Sequence, residues 1–144
     1  MNIPNDKLDI PTLRAMRTWD VLAISCFDGR FIPRTVEWLR QEAGVFDYRT
    51  EPGSSKAIID SLPDLYRIVN VVETALRFHE ITEVWLIDHA DCMACGGSGI
   101  HQSAEAELDF HKRQLNQAKQ ALQRMCPGLE FKTAYIDWES AFFL

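Results

Sequence analysis

Val21-Leu22-Ala23-Ile24-Ser25 is an apolar run with no polar alternation. A strand with one wet face alternates apolar and polar side chains, whereas a strand covered on both faces of a parallel sheet reads as a continuous apolar stretch. The chain must therefore supply helices for both sides of this strand, and the sequence does so. Pro33 opens a helix running to about Ala43, with Val36, Leu39 and Ala43 on one stripe and Gly44 as its stop. Val45-Phe46-Asp47-Tyr48-Arg49 is a second strand, placed towards an edge because Asp47 interrupts its apolar run. The loop Glu51-Pro52-Gly53-Ser54-Ser55 and a short helical piece over 56–60 follow. Ser61 with Asp64 then marks a helix start, and Leu65, Ile68, Val69, Val72, Leu76 and His79 keep the spacing of one buried face.

Glu83-Val84-Trp85-Leu86-Ile87 is the third strand. Residues 104–125 predict a strongly amphipathic helix carrying Leu108, His111, Leu115, Ala118, Leu122 and Met125 on one stripe. Glu105 and Glu107 suit its N-terminus and Arg124 its C-terminus. Phe131–Ile136 is a fourth strand, and the apolar ending Trp138–Leu144 must dock on the domain or on a partner subunit, because its exposure is costly. Alternating strands and helices predict an α/β fold with a mostly parallel four-stranded sheet flanked by helices and joined by right-handed crossovers. Its 144 residues make one domain, 1–144, with residues 1–20 as a peripheral N-terminal arm.

Charge narrows the partners. Fifteen Lys and Arg against 21 Asp and Glu leave a formal charge of −6, which argues against nucleic acid or an anionic membrane surface. No apolar stretch approaches the length of a membrane span. The first residues lack the charged-then-apolar pattern of a signal peptide, so a soluble, cytoplasmic protein is expected. In that reducing compartment four cysteines are thiols or metal ligands rather than structural disulfides. Cys126, within the helix stop Met125-Cys126-Pro127-Gly128, reads as a packed small hydrophobe.

The chemistry gathers at two strand ends. Cys26-Phe27-Asp28-Gly29-Arg30 follows the first strand, and Asp88-His89-Ala90-Asp91-Cys92-Met93-Ala94-Cys95-Gly96-Gly97 follows the third. Sites of open α/β sheets form at the carboxyl ends of strands, where strand order reverses. If the two strands are neighbours, their ends lie roughly 5 Å apart, and Cys26, His89 and Cys92 can meet on one ion. Two thiolates and an imidazole suit zinc, and three protein ligands leave a fourth position open. Arg30 can hold Asp28 ionised by a charge-assisted hydrogen bond. Asp28 is then free to serve water at the metal or to take the fourth position itself.

Three other motifs use the same residues. Cys92-x-x-Cys95 after a strand resembles a thioredoxin-type redox pair, which offers a non-enzymatic redox-sensing or metal-binding reading. Cys92-x-x-Cys95-x-Gly97-x-Gly99 fits one zinc-ribbon repeat, but the chain has no second CxxC. The glycines could cradle an anion at the start of the 104–125 helix, although no Lys-Ser or Lys-Thr follows to make a P-loop. His79 and His111 sit on apolar stripes and read as packed. His101, in the glycine-rich segment, is a candidate proton relay.

Cys26-x-Asp28-x-Arg30 followed by His89-x-x-Cys92 resembles the motif of the β-class carbonic anhydrases. The resemblance covers roughly residues 20–100 and implies that family's fold, with strands in the order 2-1-3-4. It implies Zn2+ held by Cys26, His89 and Cys92, with Asp28 and Arg30 as the catalytic dyad. The implied reaction is the reversible hydration of CO2 to bicarbonate by zinc-bound hydroxide. Relatives that hydrolyse COS or CS2 supply the alternative on the same site. The family also implies a homodimer or higher homo-oligomer with the site at the interface. Gly29 stands where the family has serine, Met93 where it has glycine after the second cysteine, and Asp88 where glycine precedes the histidine, adding negative charge beside the metal. Cys95 is an additional thiol.

Overall fold

A computed structural model describes residues 8–144. The expected arm over residues 1–20 thus lies partly outside the described residues; within them, Asp9 caps a short helix α1, Ile10–Ala15, by accepting from the Thr12 N–H. The strands are β1 Val21–Ser25, β2 Phe46–Thr50, β3 Glu83–His89, β4 Glu130–Ile136 and β5 Ala141–Phe143. The remaining helices are α2 Ile32–Ala43, α3 Ser55–Ile59, α4 Leu62–His79 and α5 Ala104–Met125.

The sheet order is β2-β1-β3-β4-β5. β1 pairs in parallel with β2 and β3, and β3 with β4, so the expected parallel core in the order 2-1-3-4 is present. The expectation of four strands is corrected to five. Ala141–Phe143 turns back and pairs antiparallel with β4, matching Ala134 to Phe143 and Ile136 to Ala141. The turn is made by Asp137, whose Oδ1 accepts from the N–H groups of Glu139 and Ser140. Phe143 then lies 4.9 Å from the rings of both Trp38 and Trp85, so the apolar ending docks on its own chain. A three-residue strand carries too little alternation to read as one.

All five residues of β1 are buried, as the unbroken apolar run requires. Leu22 and Ile24 pack with Val84 and Leu86 against Ile58 of α3, Ile68 and Val72 of α4, and Leu115 and Leu122 of α5. Val21 and Ala23 point the other way with Trp85 and Ile87, towards Trp38 and Leu39 of α2. Helix starts follow local rules: the hydroxyls of Ser61 and Ser103 accept from the N–H groups of Asp64 and Ala106. Cys126 is buried in the larger core, as a small hydrophobe. Among the described residues no helix is long and apolar enough to cross a membrane.

Candidate metal centre

Parallel pairing of β1 with β3 matches Ser25 to Ile87 and brings the two chemistry-bearing loops to one edge of the sheet. Strand order reverses here, with β2 on one side of β1 and β3 on the other. Cys26, His89 and Cys92 are all buried, and their ligating atoms lie within 4.8 Å of one another, an arrangement that can hold a metal ion.

The histidine is oriented for this. Its Nδ1 lies 2.6 Å from the Ala90 carbonyl, which can only accept, so the proton sits on Nδ1. That leaves the Nε2 lone pair directed at the cluster, and Nε2 is buried without a hydrogen-bond partner. An orphaned buried nitrogen costs about 1–3 kcal/mol, and a metal bound between it and the two sulfurs would remove that cost. The Phe31 ring stacks on the imidazole at 4.3 Å and covers its face. The donor set fits a thiophilic, imidazole-binding ion such as zinc.

At neutral pH the Cys26 and Cys92 sulfurs carry protons. A hydrogen bond with Cys92 and burial push the Cys26 thiol up to about 12. Cys92 is pulled down by Cys26, but Cys95 and burial outweigh this and push it up to about 11. The hydrogen bond with Cys92 lowers Cys95 from the usual thiol range.

Asp28 and Arg30 meet as expected. Arg30 donates from Nε and Nη2 to both Asp28 oxygens, the shortest contact being 2.7 Å. This fork holds the Asp28 carboxyl down at about 2. The same carboxylate lies 4.0 Å from His89 Nε2 and so faces the cluster.

Several residues behave differently from their reading in the sequence. Asp88 places no charge in the cluster. It is one residue from His89, so it leaves the opposite face of β3, where Ser55, His111 and Gln114 surround its carboxylate. His111 is buried as expected, but it is Asp88's partner at 2.7 Å. His79 is only half-buried, beside Asp47 at 2.7 Å and Trp19. Met93 is 70% exposed and does not fill the cluster. The α5 N-terminus is capped by its own Ser103, and the glycine-rich segment before it forms a short turn at Ser98–Ile100. His101 lies against Phe110 and lines a cleft of about 630 Å³ with Ala90, Glu107, Tyr135 and Trp138. None of Cys26, Asp28, Arg30, His89 or Cys92 lines that cleft, although the Trp138 ring lies over Arg30 at 5.4 Å.

Sequence reasoning missed Asp91 and Glu107. Arg30 also donates to Asp91, which is backed by Glu107 of α5. The one signal for Asp91 was its place between two ligand candidates; Glu107 reads only as an acidic residue suited to the helix N-terminus until its burial is seen.

No curated protein matches the chain. A family model described as "Putative carbonic anhydrase" matches residues 16–143, spanning every element from β1 to β5 and both loops of the cluster. The chain belongs to this family of putative carbonic anhydrases.

Proposed function

We propose that the chain is a zinc-dependent, carbonic anhydrase-like lyase, a single domain that hydrates CO2 reversibly to bicarbonate. The observation that carries this reading is the orphaned Nε2 of His89 facing two buried sulfurs, with an ionised carboxylate 4.0 Å away. Cys26, His89 and Cys92 would hold the ion. Bound there, zinc supplies Lewis acidity that makes water nucleophilic near neutral pH.

The chain's own groups do the rest. Asp28, held at about 2, stays ionised throughout the working range, so it accepts a hydrogen bond from the attacking water rather than storing its proton. Arg30 fixes the direction in which that carboxylate points. Phe31 shields the imidazole face from solvent. Attack of water oxygen on carbon forms the C–O bond of bicarbonate, and the proton released passes to buffer. Asp28→Asn keeps the shape but loses the charge, and should lower hydration by about 10–100-fold with metal retained. Unchanged rates in a stopped-flow assay would remove Asp28 from the mechanism.

Metal uptake should be strongly pH-dependent. With Cys26 at about 12 and Cys92 at about 11, both thiols carry protons at pH 7 and must lose them to bind. Binding therefore releases at least two protons, and a third wherever His89 is protonated. Burial lowers the His89 pKa, but its contacts with Cys26 and the Ala90 carbonyl outweigh this and raise it. Affinity falls at least about 100-fold for each unit the pH is lowered. Titration calorimetry in buffers of different ionisation enthalpy reads the proton count directly; a count near zero contradicts ligation by these thiols.

The alternative on the same site is COS or CS2 hydrolysis, and parallel assays on the zinc-loaded protein distinguish the substrates. The redox alternative has less support, since Cys92 and Cys95 are both buried and Cys92 is pushed above the usual thiol range. Metal-free protein with a readily cycled Cys92–Cys95 disulfide would favour it over the enzyme. The four free thiols suit the cytoplasm. Phe27, Met93 and Ile100, each more than 60% exposed, flank the two loops and support a homodimer that covers them. Sedimentation at micromolar concentration should show at least a dimer; a monomer at all concentrations excludes it.

A further inference from the structure

Asp91 lies between His89 and Cys92 with φ of 54°, a left-handed conformation that residues with a Cβ adopt at a cost. Each of its polar groups is engaged. Its N–H donates to Glu107 Oε2 at 3.3 Å, and its Oδ1 accepts from the Ser98 N–H at 2.8 Å. Its Oδ2 accepts from Arg30 Nη1 at 3.0 Å, and its carbonyl accepts from Arg30 Nη2 at 3.0 Å. Glu107 is in turn buried and held by the Ser98 hydroxyl.

Arg30 needs this grip. Its side chain is 45% exposed despite the Phe31 and Trp138 rings packed near the guanidinium, and a long side chain loses much rotamer freedom when held still. Asp28 takes one edge of the guanidinium and Asp91 takes the other, so the planar fork is clamped between the β1 and β3 loops. A glycine would occupy the left-handed position at lower cost, but it could not supply the carboxylate.

We propose that Asp91 is a positioning residue: through Arg30 it holds the Asp28 carboxylate facing the Cys26–His89–Cys92 cluster. The role rests on the carbonic anhydrase-like reading of the site, but the clamp itself does not. A residue that merely shapes the ligand loop would act on the metal; Asp91 acts on the dyad.

The test compares Asp91→Asn, which keeps an acceptor for Ser98, with Asp91→Gly, which relaxes the backbone. Both should retain stoichiometric zinc while kcat for CO2 hydration falls about tenfold and KM changes little. Adding Asp91→Asn to Asp28→Asn should cost nothing further, because both act through one unit. The Nε–H resonance of Arg30, narrow and protected in the wild type, should move and exchange faster in both variants, with or without zinc. Additive losses, or an unchanged Arg30 resonance, overturn the clamp. Zinc loss accompanied by an unchanged Arg30 resonance assigns Asp91 to loop shaping instead. If the wild type hydrates no CO2, the enzymatic reading fails, and the Arg30 resonance still decides whether Asp91 clamps it.

Discussion

Cys26→Ser should abolish both metal retention and CO2 hydration while leaving the fold in place. Cys26 follows a strand buried on both faces, and its side chain is 6% exposed, so serine fits sterically. The hydroxyl is a hard, weakly acidic donor where the ion is offered a soft thiolate. Loss of an outer partner around a metal typically costs about 10–100-fold in affinity, and loss of one of three ligands should exceed that. Two donors, His89 Nε2 and Cys92 Sγ, would remain, too few for the three-ligand site of a catalytic zinc. Metal analysis after gel filtration should find stoichiometric zinc in the wild type and almost none in the variant. Stopped-flow hydration should drop to the uncatalysed rate even with excess zinc added. Full zinc and full activity in Cys26→Ser would place the reaction elsewhere on the chain.

The parallel core was legible because burial on both faces leaves a trace in the sequence: Val21–Ser25 and Val84–Ile87 lack polar alternation, and the helix stripes keep their period. Elements held by long-range pairing left less. β5 is three residues long and depends on β4 and on the Asp137 turn, so its pattern alone reads as an apolar tail. At the candidate site, Cys26, Asp28, Arg30, His89 and Cys92 could be picked out because each lies at or shortly after the carboxyl end of a buried strand, and strand ends of one parallel sheet share an edge. Asp91, Glu107 and Ser55 could not, since their partners are 61, 16 and 33 residues distant in the chain. Asp88 was misplaced for a different reason. Adjacency in a strand puts neighbours on opposite faces, so nearness to His89 in sequence is distance from its ligand in space.

That opposite face is where a single substitution should cost the most stability. Asp88 is 2% exposed, and its carboxylate accepts from the Ser55 N–H at 3.2 Å and the Ser55 hydroxyl at 2.7 Å. His111 Nδ1 lies 2.7 Å away and Gln114 Nε2 3.3 Å. These contacts tie β3 to α3 and to α5. Asp88→Ala would leave the Ser55 N–H, the Ser55 hydroxyl and His111 Nδ1 buried without this acceptor, while Gln114 keeps only the Ser55 oxygen, and would open a cavity between the elements. Removing one member of such a network costs about 3–5 kcal/mol, which for a chain of this size lowers the melting temperature by roughly 10–17 °C. Ser55→Ala should cost about 1 kcal/mol, because it removes one hydroxyl and leaves Asp88 its other donors. Urea denaturation of metal-free and zinc-loaded protein separates two roles for Asp88. If it braces the fold, the loss appears in both forms with similar size. If it acts only by orienting His89, the metal-free protein should keep its wild-type midpoint, and the bracing role is then wrong. Ser55 and His111 contact Asp88 on the face opposite His89, and of these partners only Gln114 also reaches towards the cluster, at the Cys95 sulfur 3.5 Å away, so the loss should appear in both.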